Sequence, residues 1–113
     1  MEPGQAVRLR IYIRYDDVDG NRPLADGLVY KAQELGLAGA VALRGIIGFG
    51  HSSGPHPTEL ILAQNLPVIV ELVDSRAQID RYLAAVQPML RGALVTVEAV
   101  EVLGFDNAIN AQA

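Results

Sequence analysis

An α+β fold, one antiparallel sheet with two helices on a single face, is what three patterns in the chain predict. They are an unbroken period-two segment near the N-terminus, two apolar stripes at helical spacing, and apolar runs between and after them. Val7 to Arg14 alternates without a fault, with Val7, Leu9, Ile11 and Ile13 on one face and Arg8, Arg10, Tyr12 and Arg14 on the other. That is a strand with one face on a core. Asp16 to Asn21 is a turn cluster, and Pro23 suits the first turn of a helix whose stripe is Leu24, Leu28, Ala32 and Leu35. Gly36 stands where a left-handed cap is expected. Gly27, inside that helix, costs about 1 kcal/mol relative to alanine, which close packing against the sheet would explain.

Ala40 to Ile47 reads as a second strand, and Thr58 to Gln64 as a short strand pairing back on it. Val68 to Val73 is a continuous apolar run broken only by Glu71, hence a central strand. Ser75 and Gln78 have capping-box spacing, in which each side chain satisfies a backbone donor of the first helical turn. The stripe of Ile79, Leu83, Val86 and Leu90 continues that helix, with Pro88 and Gly92 closing it. In the last strand Val95 and Val97 point inward, but by Val100 and Val102 the apolar phase has flipped, which predicts a bulge near Glu98-Ala99. The order βαββαβ with right-handed crossovers gives the ferredoxin-like sandwich, its first strand in the middle. Its open face then shows Arg8, Arg10, Tyr12 and Arg14, with Glu71 beside them. Cross-strand pairing with Glu71, Glu98 and Glu101 is the expected fate of these arginines; anion binding by at least one of them is the alternative.

Composition narrows the function classes. At 113 residues one domain is expected, over 1–105, with a flexible tail at 106–113. Hydrophobic residues are 50% and aromatics 5%, so the core is aliphatic. A net charge of −4 disfavours a nucleic-acid groove, whose affinity comes largely from neutralising phosphates. The absence of cysteine excludes disulfides, iron–sulfur clusters, cysteine zinc sites and thiol nucleophiles. Met1 to Ala6 has no signal-peptide pattern, and no apolar run approaches the roughly 20 residues of a membrane span, so a cytoplasmic location is expected.

Arg10-Ile-Tyr-Ile13, Arg22-Pro-Leu24, Gly36-Leu-Ala-Gly-Ala40 and Arg44-Gly-Ile-Ile-Gly-Phe-Gly50 form a recognisable series. It continues with Leu66-Pro-Val-Ile-Val-Glu-Leu-Val-Asp74, Leu94-Val-Thr-Val-Glu98 and Val100-Glu-Val102. From about Val7 to Phe105 the chain resembles the PII-like family of unknown function DUF190. The resemblance implies a PII- or CutA-like homotrimer with a role in nucleotide-responsive signalling. It implies an adenine nucleotide in clefts between subunits, held by Arg44, Gly45, Gly48, Phe49, Gly50, Arg91 and Gly92. It further implies signalling through the 49–57 loop to a protein partner, a membrane transporter for several PII-like proteins. Glycines let backbone amides approach phosphate oxygens, and arginine adds a planar charged fork. The last strand has Glu98 and Glu101 but no basic residue, and Lys31 is the only lysine, so a mono- or diphosphate, or no nucleotide, fits at least as well as a triphosphate.

Taken without the resemblance, Gly45-x-x-Gly48-x-Gly50 is neither a dinucleotide fingerprint nor a P-loop, and a hairpin bend also accounts for it. His51 and His56 flank Ser52-Ser-Gly-Pro55, and a CutA-like divalent-metal trimer using both is the second reading. A structural trimer with no small ligand is the third. An enzyme is not expected. Ser52 and Ser53 lack a strand-turn-helix elbow, and the Asp16, Asp17 and Asp19 cluster lacks the glutamate of a calcium loop.

Overall fold

The alternating segment at the N-terminus becomes the longest strand of the sheet. The structure, a computed structural model, describes residues 4–46 and 66–104. Strand β1 (Gly4–Arg14) leads through the two-residue strands β2 (Val18–Asp19) and β3 (Arg22–Pro23) into helix α1 (Leu24–Glu34). Then follow β4 (Val41–Arg44), β5 (Pro67–Asp74), helix α2 (Arg76–Leu90) and β6 (Leu94–Val102). The main sheet has the order β4-β5-β1-β6, every neighbouring pair antiparallel, so β1 is central as its pattern predicts. The expected strand at 58–64, the 49–57 loop and the tail at 106–113 lie outside the described residues.

Both helices bury their stripes on one sheet face. Leu9, Ile11 and Ile13 of β1 and Val68, Val70 and Leu72 of β5 meet Leu24, Leu28 and Ala32 of α1 and Ile79, Tyr82 and Val86 of α2. The core is aliphatic except for Tyr82, whose hydroxyl donates to the Leu28 carbonyl at 2.8 Å. Helix α1 ends as its sequence predicts: Gly36 takes φ +78°, and the Gly36 and Leu37 amides donate to Gln33 and Ala32 at 3.1 Å each. Those two bonds make a Schellman motif.

The sequence reading needs correction at six points. Pro23 is the N-cap of α1, paired with Val18 in a two-residue hairpin that the turn-cluster reading missed. Gly27 packs against that hairpin and α2, not the sheet: a Cβ there would lie 3.1 Å from Asp19 Oδ2 and from Met89 Cε. The second strand runs only from Val41 to Arg44. Its ladder stops opposite Pro67, which accepts from the Gly45 amide at 2.7 Å but has no N–H to return. Only half of the capping box forms. Ser75 Oγ accepts from the Gln78 amide at 3.2 Å, but the Ser75 amide donates to Asp74 Oδ1 at 2.7 Å. Pro88 does not close α2, which runs on to Leu90. The carbonyl it leaves without a donor belongs to exposed Ala84, where water can serve, and the helix ends with Arg91 and Gly92 both at positive φ.

The sixth correction is the bulge. β6 pairs with β1 in one unbroken register from Gly4 opposite Val102 to Tyr12 opposite Leu94. Opposite residues share a face, so Val95 and Val97 lie with Ile11 and Leu9 on the helix-bearing face, Val95 packed on the core and Val97 exposed, while Val100 and Val102 lie with Ala6 on the open face. The apolar phase flips with no residue inserted, which leaves Val100 and Val102 half-buried on the open face.

Candidate nucleotide site at one end of the sheet

The register fixes where the expected site residues fall. Arg44 lies opposite Val68, which lies opposite Ile13, and Leu94 lies opposite Tyr12. The end of β4, the start of β5, the end of β1 and the start of β6 therefore share one end of the sheet. Arg44 and Gly45 stand there on the β4 edge, and Arg91 and Gly92 on the β6 edge. Two strands separate these edges, three strand spacings or about 14 Å. Within one chain the two arginines flank the sheet and do not line one cleft. Gly48, Phe49, Gly50, His51 and His56 lie outside the described residues.

Each half of this end is built tightly. A Cβ on Gly45 would come within 2.7 Å of Pro67 Cγ, so only glycine fits beside the start of β5. The Arg44 guanidinium lies 4.2 Å from the centre of the Tyr15 ring, within cation–π range. Tyr15 is held in turn by its amide, which donates to the Leu66 carbonyl at 2.9 Å. Sequence reasoning passed over Tyr15; its signal was the odd-numbered phase of β1 carried one step beyond Arg14. On the other edge Arg91 takes φ +45° and Gly92 φ +85°, a left-handed pair that turns the chain from α2 into β6.

The open-face arginines are largely paired, as expected. Arg8 forms an ion pair with Glu98, and Arg10 Nε lies 2.8 Å from Glu71 Oε1. The hydrogen bond from Arg8 holds the Glu98 carboxyl below its ordinary range, and the Glu71 hydrogen bond raises the Arg10 guanidinium above its own. Glu101 does not join this set. It lies opposite Gln5, on the face away from the arginines.

A shallow hollow of about 310 Å³ opens at the far end of the open face, among Ala38–Val41, Glu71, Val73 and Val102. Its one charged lining residue is the Glu71 carboxylate, and it is remote from Arg44 and Arg91, so it does not favour phosphate. Among the described residues no cluster of three or more His, Asp or Glu is placed to hold a metal ion, and no helix is long and apolar enough to cross a membrane.

The fold is that of PII-like proteins. The chain superposes on CPII of Thiomonas intermedia K12, solved bound to ADP, AMP and bicarbonate, with a TM-score of 0.62 at 13% identity, covering 90% of this chain and 99% of that one. A PII-like protein of Thermus thermophilus gives 0.56 at 17% identity, covering 91% and 94%. Within that class the chain belongs to the DUF190 family, described as an uncharacterized ACR, whose model matches residues 6–102. A UPF0166 protein of Aquifex aeolicus (strain VF5) is 35% identical over 96 residues, 84% of this chain and 90% of that protein. Another, from Methanocaldococcus jannaschii, is 29% identical over 87 residues, 77% and 81% of the two chains.

Proposed function

We propose that this chain is a PII-like signalling protein that binds an adenine nucleotide, a mono- or diphosphate, in clefts between copies of itself. The observation that carries the reading is the placement of Arg44-Gly45 and Arg91-Gly92 at one end of the sheet but on opposite edges. A ligand touching both pairs needs the β4 edge of one copy beside the β6 edge of the next. A closed ring of three copies, open faces turned inward, meets that need and covers the exposed Val41, Leu43 and Leu94. The likeness in fold to CPII, solved with ADP and AMP, supports the choice of ligand. Gly48, Phe49 and Gly50 complete the site on the strength of the sequence alone. The domain spans 1–105, and the 49–57 loop carries the signal to a protein partner.

The test is a thermal-shift panel of ATP, ADP, AMP and cyclic nucleotides, with and without divalent metal, followed by light scattering for the assembly. A ligand at 100 times its dissociation constant adds roughly 2.7 kcal/mol, a readily seen shift. The reading expects ADP or AMP to raise the midpoint, Arg44→Ala and Arg91→Ala each to abolish the rise, and a mass of three chains. Unchanged binding in both variants overturns the site.

A further inference from the structure

We infer that Tyr15 and Arg44 form a stacking platform for the base of the nucleotide, Arg44 acting through the flat face of its guanidinium and Tyr15 backing it. The inference rests on the adenine-nucleotide reading and deepens it by assigning the base subsite. A guanidinium is planar and weakly hydrated, so it stacks on aromatic rings and on unstacked bases alike. Here it already lies 4.2 Å from a ring centre, and both residues are exposed, Tyr15 by 52%.

Both halves are held by the backbone of consecutive β5-side residues. The Tyr15 amide is bonded to Leu66, Arg44 is in register with Val68, and Gly45 is bonded to Pro67 between them. A platform fixed in this way loses little freedom when a base settles on it. The second arginine–ring pair is as exposed but differs in distance and in charge balance. Arg22 lies 5.3 Å from the Tyr30 ring centre and has Asp19 4.0 Å away to balance its charge. Among the described residues Arg44 makes no ion pair that balances its charge, and its side chain is exposed.

The experiment is calorimetric titration of ADP into wild type, Tyr15→Phe, Tyr15→Leu, Arg44→Lys and the Tyr15→Leu/Arg44→Lys double variant. Unfolding midpoints confirm that each variant is folded. Tyr15→Phe keeps the ring and binds as wild type, whereas Tyr15→Leu and Arg44→Lys each weaken ADP by roughly tenfold. The double variant falls little further than either single one, because the two side chains act as one stack. Wild-type affinity in both Tyr15→Leu and Arg44→Lys overturns the platform and leaves the nucleotide reading standing. Independent, multiplying losses in the double variant also overturn it. Failure of the wild type to bind ADP overturns the nucleotide reading, and the platform with it.

Discussion

The hydroxyl of Tyr82 on α2 donates to the carbonyl of Leu28 on α1 at 2.8 Å, a polar bond set among the aliphatic side chains of the core. Tyr82 is fully buried, and burial pushes its ionisation well above the ordinary value of 10.0. An acid whose folded pKa is raised leaves stability untouched below the unfolded pKa. As pH climbs past about 10, the unfolded chain sheds the proton while the folded chain keeps it, and stability falls by up to about 1.4 kcal/mol per unit. Tyr82→Phe removes that alkaline slope and, near neutrality, costs about 1 kcal/mol for the lost bond. Urea unfolding at pH 7 and at successive pH values above 10 measures both effects.

Asp74 is a buried carboxylate with two backbone donors, the Ala38 amide on Oδ2 at 2.8 Å and the Ser75 amide on Oδ1 at 2.7 Å. It ties the loop before β4 to the start of α2. Asp74→Asn must turn an NH2 group toward one of those amides, leaving two donors face to face. The expected loss is about 1–3 kcal/mol, read as a lowered denaturation midpoint. Ser75→Ala removes only the bond to the Gln78 amide and costs about 1 kcal/mol by the same measurement.

Gly27→Ala tests the corrected account of that glycine. The added methyl meets the Met89 Sδ-methyl terminus and the Asp19 carboxylate at 3.1 Å each. Both are ends of movable side chains, Asp19 partly exposed, and each must yield by only a few tenths of an ångström. The gain in helix propensity, about 1 kcal/mol, then outweighs the crowding. An unfolding midpoint equal to or above that of wild type is expected. A clear drop would mean that the hairpin β2–β3 cannot shift.

What the sequence could say of the fold depended on whether the cause was local. The alternation of β1 and the left-handed Gly36 are local patterns, and each appears where the residues put it. The stripe of α2 does so at Ile79 and Val86, but Tyr82 is fully buried between them while Leu83 and Leu90 are only half-buried. The flip in β6 was local too, but its meaning was not. A bulge and an unbroken strand with apolar residues on both faces leave the same pattern, and only the pairing of β6 with β1 separates them. The hairpin before α1 did carry a signal, Gly20-Asn21 between Val18-Asp19 and Arg22-Pro23, too short for periodicity to register. Among the site residues, Arg44 and Arg91 stood out by charge and neighbouring glycine. Tyr15 did not, because its interest comes from lying next to Arg44 across the sheet end, 29 residues away in sequence and visible only once β4 is paired with β5.

Gly45 is where fold and candidate site meet. Its amide bonds to the Pro67 carbonyl, and its missing side chain makes room for the Pro67 ring, 2.7 Å from where a Cβ would be. A proline ring cannot swing aside as a methionine can, so Gly45→Ala must push the end of β4 away from β5. The expected cost is about 1–3 kcal/mol, as for other overpacked positions. Arg44 is the neighbouring residue, so the displacement also carries its guanidinium off the Tyr15 ring and weakens nucleotide binding. Pro67→Ala removes the obstructing ring atoms, and the Gly45→Ala/Pro67→Ala pair recovers most of the loss, a coupling that a double-mutant cycle of unfolding free energies reads directly. If the two changes simply add, the contact with Pro67 is not what requires glycine at 45. If they couple and ADP affinity returns with stability, the close approach of Gly45 to Pro67 sets the position of Arg44.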